Sequence, residues 1–180
     1  MRLSEPVEWA LHCVVVLAGL PRQRALPAAR LAEFHGVPAP YLAKAMQALS
    51  RQGLVETTPG RRGGYRLARP ADEITLLDVV LAVEGDTPAF RCQEIRQRGP
   101  ITVERYAPVC SIAAVMHRAE SAWRTELAAV TVADIAAGLV RSLPKSVRVR
   151  SAAWVDAASG GPPSPPSEGR SAVDQARKSR

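Results

Sequence analysis

The chain has 180 residues, with 24 Lys and Arg against 17 Asp and Glu, so its formal net charge is +7. This length predicts one domain with an appendage, or two very small domains. Three cysteines are too few for a disulfide framework, and no apolar run is long enough for a transmembrane helix. The amino terminus also lacks the pattern of a secretory signal, so we expect a cytoplasmic protein with no membrane partner.

The basic charge is concentrated in one segment. Residues 22–69 hold nine basic and two acidic residues, whereas residues 70–144 hold seven basic and ten acidic residues. A segment this basic beside an acidic one is typical of a surface that binds a polyanion, most often nucleic acid. The alternative is an Arg-rich surface that is merely solvated.

Three helices are predicted at the start of the chain. Apolar residues recur at helical spacing over 6–20, with Ser4 as the expected cap, then over 27–34, and then over 39–52. Gly36 is expected to end the second helix. The third helix would place its apolar residues inward and its polar side chains outward. The second and third helices, joined by a short turn, have the order of a helix-turn-helix.

A β-hairpin is predicted after the third helix. Residues 54–58 form a short β run, residues 59–64 a turn, and residues 65–68 the return strand. A helix-turn-helix followed by such a hairpin is typical of the winged helix, whose last helix enters the DNA major groove. The candidate DNA-binding residues lie on the third helix and on this wing: Tyr41, Lys44, Gln47, Arg51, Arg61, Arg62 and Arg66. The alternative is a hairpin tip that is basic only because it is exposed.

The second half of the chain is predicted to be helical. A helix over about 74–83 has Thr75 as its cap, a loop covers 86–110, a long helix starts near Ser111, and a last helix covers 131–139. The apolar stripe of the long helix is either part of the core or a seam for a partner helix, and a two-fold homodimer through it is the preferred interpretation. The fold class expected is mainly α, a winged helix-turn-helix with a long dimerisation helix. The expected parts are 1–85 for DNA binding, 86–110 for a ligand loop, 111–144 for dimerisation, and 145–180 as a disordered basic tail.

Four residues could together bind a metal. Glu8 and His12 are four residues apart on the predicted first helix, so they share one face. Cys92 and Cys110 flank the loop. On spacing alone the pattern is weak, because such a Glu/His pair is more often a surface interaction and two loop cysteines can be inert or form a reversible disulfide. Cys13 is expected to be a small core residue.

Several stretches resemble the Rrf-type family of bacterial transcription regulators. Residues 63–70 and 74–80, with Glu84-Gly85, resemble that family's wing and following helix. Residues 40–44 with Leu49 match its recognition helix, and residues 9–12 match its first-helix motif. The resemblance covers about residues 1–140. It implies a regulator, expected to be a repressor, that binds a double-stranded DNA operator as a cytoplasmic homodimer.

The resemblance also implies an iron-sulfur cofactor. The family typically holds its cluster on three closely spaced cysteines in this loop, with a fourth ligand from elsewhere, but this loop has only two. The chain is most similar to the RsrR-like branch, in which two cysteines, a glutamate and a histidine bind a [2Fe-2S] cluster. This similarity implies Glu8, His12, Cys92 and Cys110 as ligands shared between two subunits. The implied signal is an oxidant, nitric oxide or iron supply.

The remaining candidates are Trp9, His35 and His117. Trp9 lies between the two helix ligands in sequence and is expected to pack at the subunit contact, with a role in relaying the state of the cluster as the alternative. His35 and His117 are expected to be ordinary helix-end and surface residues. An enzyme is not expected, because no nucleophile-base triad, phosphate loop or HExxH pattern is present. The rival functions are a thiol-disulfide redox protein and a DNA-binding module that is free of a cluster or holds zinc.

Overall fold

A computed structural model describes residues 3–60, 63–98 and 110–159. Within these ranges the chain forms seven α-helices and one antiparallel hairpin, which confirms the predicted fold class. The elements are α1 (Glu5–Ala18), α2 (Ala28–His35), α3 (Ala39–Arg51), β1 (Val55–Thr58), β2 (Gly64–Leu67), α4 (Leu76–Glu84), α5 (Ser111–Ala128), α6 (Val132–Ser142) and α7 (Lys145–Ala158). Short 3-10 turns occupy Ala71–Glu73 and Ile95–Gln97. None of the helices described is long and apolar enough to cross a membrane.

Helix α1 lies at the centre of the fold. It packs against α3, α4, α6 and β2. Its inward face is buried and belongs to the main hydrophobic cluster: Ala10, Cys13, Val14 and Leu17. Cys13 is therefore a core residue, as predicted, and burial raises the pKa of its thiol to about 12. This thiol stays protonated and unreactive at neutral pH.

Helices α2 and α3 form the predicted helix-turn-helix. The second helix ends at Gly36, whose φ of 67° places it in the left-handed region that glycine adopts without strain. In α3, Leu42, Met46 and Leu49 are fully buried in the main cluster. Because these residues recur every three to four positions, the opposite face of α3 is left exposed to solvent.

The hairpin is attached to the helical core through β2. Strands β1 and β2 pair from Val55 with Leu67 to Thr58 with Gly64. The N–H of Leu26 donates to the carbonyl of Tyr65 at 2.9 Å, and the N–H of Tyr65 donates back to the carbonyl of Leu26 at 2.8 Å. A Cβ at Gly64 would lie 2.3 Å from the carbonyl carbon of Leu26, so only glycine permits this approach. Residues 61–62 at the hairpin tip lie outside the described residues.

Helices α4 and α6 begin side by side. Each starts with a capping box, formed by Thr75 with Asp78 in α4 and by Thr131 with Asp134 in α6. The cap predicted at Thr75 is therefore confirmed. Two backbone hydrogen bonds join these starts. The N–H of Leu76 donates to the carbonyl of Val130 at 3.0 Å, and the N–H of Val132 donates to the carbonyl of Ile74 at 2.9 Å.

The disordered tail predicted over 145–180 is wrong for residues 145–158, which form α7. The ring of Trp154 lies 5.0 Å from that of Phe34, and the guanidinium of Arg30 lies 5.0 Å above the Trp154 ring. Arg24 also pairs with Asp156 at 2.7 Å. Composition alone missed the helix because its contacts are to residues over 100 positions away. Residues 160–180 of the predicted tail lie outside the described residues.

We expect Trp154→Ala to lower the free energy of unfolding by about 1–3 kcal/mol, because the half-buried indole loses both its aromatic and its cation–π contacts. Urea unfolding followed by circular dichroism measures this change. Val149→Ala on the same helix is the control, since Val149 is 54% exposed. Equal stability of the two variants would contradict the docking of α7.

Candidate DNA interface and metal-ligand pairs

The exposed face of α3 carries the predicted DNA-reading side chains. Tyr41 is 59% exposed, and Lys44, Gln47 and Arg51 are exposed as well. Their spacing places all four on one side of the helix. The Nζ of Lys44 lies 5.7 Å from the centre of the Tyr41 ring, so these two side chains are neighbours. The face presents hydrogen-bonding groups and two cations on a helix of the width that the major groove admits.

The wing arginines are placed differently from the α3 residues. Arg66 pairs with Glu56 at 2.7 Å across the hairpin, and its Nη1 donates to the backbone carbonyl of Arg22 at 3.0 Å. Its guanidinium is therefore held against its own chain. Arg61 and Arg62, the other predicted wing contacts, lie outside the described residues.

Glu8 and His12 lie together on the solvent side of α1. Both are exposed and line one depression with Leu3, Ser4 and Leu11. The i, i+4 spacing predicts this arrangement. One carboxylate and one imidazole are two of the four ligands that the sequence suggests, and α1 fixes them relative to each other.

His35 is a neighbour of this pair that the sequence did not reveal. The rings of His12 and His35 lie 5.6 Å apart, and the ring of Phe34 meets that of His35 edge-on at 5.0 Å. Burial, followed by the charge of His12, lowers the pKa of His35. Its Nε2 is buried with no hydrogen-bond partner among the described residues. His35 is thus more than an ordinary helix-end residue, and the fold brings it to His12 from 23 positions away in the sequence.

Cys92 and Cys110 line a second cavity, of about 330 Å³. Cys110 is the residue that caps α5. The backbone N–H of Ala113 lowers the pKa of the Cys110 thiol, and the N–H of Ile112 and the guanidinium of Arg96 act in the same direction. These contacts therefore favour the thiolate of Cys110, which is the form of cysteine that binds metals.

Arg96 is the cation of this cavity. It is held by the carboxylate of Glu94, with its Nη2 2.8 Å from Oε2. Glu94 has a φ of 49°, in the left-handed region that few residues other than glycine adopt. Glu94 raises the pKa of Arg96, and the two cysteines add to this effect. A permanent positive charge therefore lines the same cavity as the two cysteines.

The two ligand pairs do not meet within one chain. Across residues 3–60, 63–98 and 110–159, no three His, Cys, Asp or Glu side chains gather closely enough to hold a metal ion. Exposed apolar residues lie beside both pairs. Leu3, next to Glu8, is 40% exposed, while Ile95 and Ile112, next to the cysteines, are 72% and 68% exposed. Each pair thus supplies only two of the four predicted ligands and has an apolar rim.

The apolar stripe predicted on the long helix is present on α5 and faces solvent in the single chain. Ile112, Val115 and Met116 are 68%, 53% and 40% exposed. Helix α6 adds Leu139 and Val140, at 38% and 57%. Exposed apolar residues grouped along a helix, as on α5, are typical of a protein–protein contact. Trp9, the proposed relay residue, is half-buried and packs against the main cluster.

Comparison with known proteins identifies the family. Residues 3–138 match the Rrf2 family, described as an iron-dependent transcriptional regulator. The chain belongs to the Rrf2 family. It is 31% identical over 136 residues to YffB of Lactococcus lactis, named as an HTH-type transcriptional regulator, covering 76% of this chain and 87% of YffB. It is 34% identical over 136 residues to protein aau3 of Rhizobium meliloti, covering 75% and 84%.

Solved structures share the fold of this Rrf2 protein. CymR, the global cysteine regulator of B. subtilis, superposes with a TM-score of 0.61 at 22% identity, covering 76% of this chain and 97% of CymR. IscR of T. potens also gives a TM-score of 0.61, at 18% identity, covering 82% and 96%. The chain is therefore a DNA-binding transcriptional regulator of the HTH type and not an enzyme. The family match ends at residue 138, so α7 lies beyond it.

We expect two α3 variants to weaken DNA binding in different ways. Gln47→Ala, if it removes a base contact, costs about 1–3 kcal/mol and relaxes sequence preference. Arg51→Ala, if it removes a phosphate contact, weakens all duplexes alike and lowers the salt slope of log K by about one. Fluorescence anisotropy at several salt concentrations, on a duplex selected from random sequence, measures both effects.

Arg118→Ala is the matched control for these variants, because it removes an exposed cation from α5. If it weakened binding as much as Arg51→Ala, the effect would come from net charge and the assignment of the α3 face would fail.

Proposed function

We propose that this Rrf2 protein is a homodimeric repressor of the RsrR-like kind, which senses redox or nitrosative state through a [2Fe-2S] cluster at the dimer interface. One observation carries the proposal: each chain holds two separate ligand pairs, and both have an exposed apolar rim. Glu8 and His12 form one pair, and Cys92 and Cys110 form the other. A second copy of the chain would complete each pair and cover each rim.

The position of the apolar stripe supports the second copy as the partner. Helix α5 begins directly after Cys110, and its exposed stripe begins at Ile112. A chain that packs on this stripe therefore lies beside the cysteine cavity. In a two-fold contact the same surface is used twice, so two equivalent shared sites would form. Two-fold symmetry also suits a DNA reader that binds two half-sites.

The donor set fits an iron-sulfur cluster. Thiolate and imidazole are ligands that iron accepts, and the family description names iron. When bound, the cluster would supply one-electron redox chemistry, at a higher potential than with four cysteines because imidazole is neutral. In this arrangement Arg96 offsets the negative charge of the two thiolates, and α1 presents Glu8 and His12 at a fixed spacing.

Contacts of α1 provide a route from the ligands to the DNA. Helix α1 carries Glu8 and His12 on one side and packs against α3 on the other. A small shift of α1 therefore moves the recognition helix, because packed cores move as units. Regulation requires that the two cluster states differ in their affinity for DNA.

We expect protein purified without air to show visible absorption from the cluster, and its oxidised and reduced forms to differ in operator affinity by at least ~1 kcal/mol. His12→Ala and Cys92→Ala should lose the cluster or shift its potential. Cys13→Ala is the matched control and should keep the cluster, because Cys13 is buried in the core. Absorption, iron content and DNA binding at fixed salt are the measurements.

Other results would favour the rival functions. A colourless protein that contains zinc would support a zinc-bound module, and a reversible Cys92–Cys110 disulfide that controls DNA binding would support a thiol switch. Equal DNA affinities of the two redox forms would exclude regulation by the redox state of the cluster, but they would not exclude the cluster as a cofactor. A Cys13→Ala protein without cluster would overturn the ligand set.

We expect Val115→Glu to convert the dimer into a monomer, because a carboxylate on the apolar stripe would be buried without a partner. Analytical ultracentrifugation measures the change in mass. Ser121→Glu is the control, since helical spacing places Ser121 on the opposite side of α5. A Val115→Glu protein that stays dimeric would show that the subunits meet elsewhere.

A further inference from the structure

Residues 86–91, the segment that leads into the cysteine cavity, are attached to α5 by side chains. The Nη1 of Arg124 lies 2.6 Å from a carboxylate oxygen of Asp86, at the start of this segment. The backbone N–H of Ala89 donates to Oε2 of Glu120 at 3.0 Å. Arg124 also donates to Oε1 of Glu120 through Nη2 at 3.0 Å. One carboxylate therefore receives both a backbone amide and a guanidinium.

An aromatic contact extends this attachment by one turn of α5. The rings of Phe90 and His117 meet edge-on, with their centres 6.2 Å apart. His117, Glu120 and Arg124 are spaced by three and four residues, so they lie on one face of the helix. Helical spacing places this face apart from the exposed stripe that begins at Ile112.

The two α5 side chains in these contacts are less exposed than their partner on the loop. The side chain of Glu120 is only 11% exposed and that of Arg124 is 25% exposed, whereas Asp86 is 74% exposed. Charge-assisted hydrogen bonds that are partly withdrawn from water are stronger than open surface ion pairs. Glu120 is therefore the central residue of the attachment.

The attachment ends two residues before Cys92. Between the end of α4 and the turn at Ile95 the chain has no helix or strand to hold it. Cys110 caps α5, the helix that carries His117, Glu120 and Arg124. We propose that Asp86, Glu120 and Arg124 form a clamp that positions Cys92 opposite Cys110. The clamp's role in metal binding rests on the proposed function, but its effect on the distance between the two thiols does not.

The test measures how effectively the two thiols meet in the metal-free, full-length protein. The protein is equilibrated with oxidised and reduced glutathione, and peptide mapping by mass spectrometry identifies the Cys92–Cys110 disulfide. Each disulfide forms as two thiols pass two electrons to one oxidised glutathione, which leaves as two reduced molecules. The equilibrium ratio gives the effective concentration of one thiol for the other.

We expect Arg124→Gln and Glu120→Gln each to lower this effective concentration by about tenfold, because the segment before Cys92 becomes free to move. Arg124→Lys, which keeps the charge, should restore part of it. Arg118→Gln makes the same chemical change on another face of α5 and should behave as wild type. Asp86→Asn tests the clamp from the loop side without altering the sequence of α5.

Two results would overturn the clamp. One is an effective concentration in Arg124→Gln and Asp86→Asn equal to that of wild type. The other is a wild-type protein in which no Cys92–Cys110 disulfide forms. Because the measurement needs no iron, a wild-type protein that takes up no cluster would defeat the proposed function and leave the clamp standing. A cluster-bearing protein with unchanged thiol ratios in the variants would do the reverse.

Discussion

Helix α1 has one face in the hydrophobic core and the other in solvent, and the rest of the structure depends on this division. Its inward residues, such as Val14 and Leu17, join the core against which α3, α4 and α6 pack. Its outward residues, Glu8 and His12, remain exposed. The helical period keeps the two sets apart, so the packing that stabilises the fold also fixes the spacing of the two polar side chains.

The basic charge of the first segment is only partly available to a partner. Arg24 is paired with Asp156 at 2.7 Å, and Arg66 with Glu56 at the same distance. In contrast, Lys44 and Arg51 point from α3 into solvent. A count of charges along the sequence therefore overstates the positive potential of this surface, while the α3 face keeps the cations that can approach DNA phosphates.

Local pattern was enough to predict most of the helices, because periodic apolar residues and end signals such as Gly36 and Thr75 act within a few positions. It was also enough to place Glu8 and His12 on one face. Features that depend on distant segments could not be predicted. Helix α7 is held through Trp154 by side chains of α2, and His35 meets His12 only through the tertiary fold. Likewise, the pairing of Arg66 with Glu56 depends on strand register.

The paired starts of α4 and α6 affect the order in which the protein folds during synthesis. Ile74 and Val132 are both fully buried and are joined by a backbone hydrogen bond of 2.9 Å across 58 positions of sequence. Until α6 has emerged from the ribosome, the core lacks the contacts that α6 makes with α1. The core of the DNA-binding half is therefore complete only once the carboxyl-terminal part of the chain has been made.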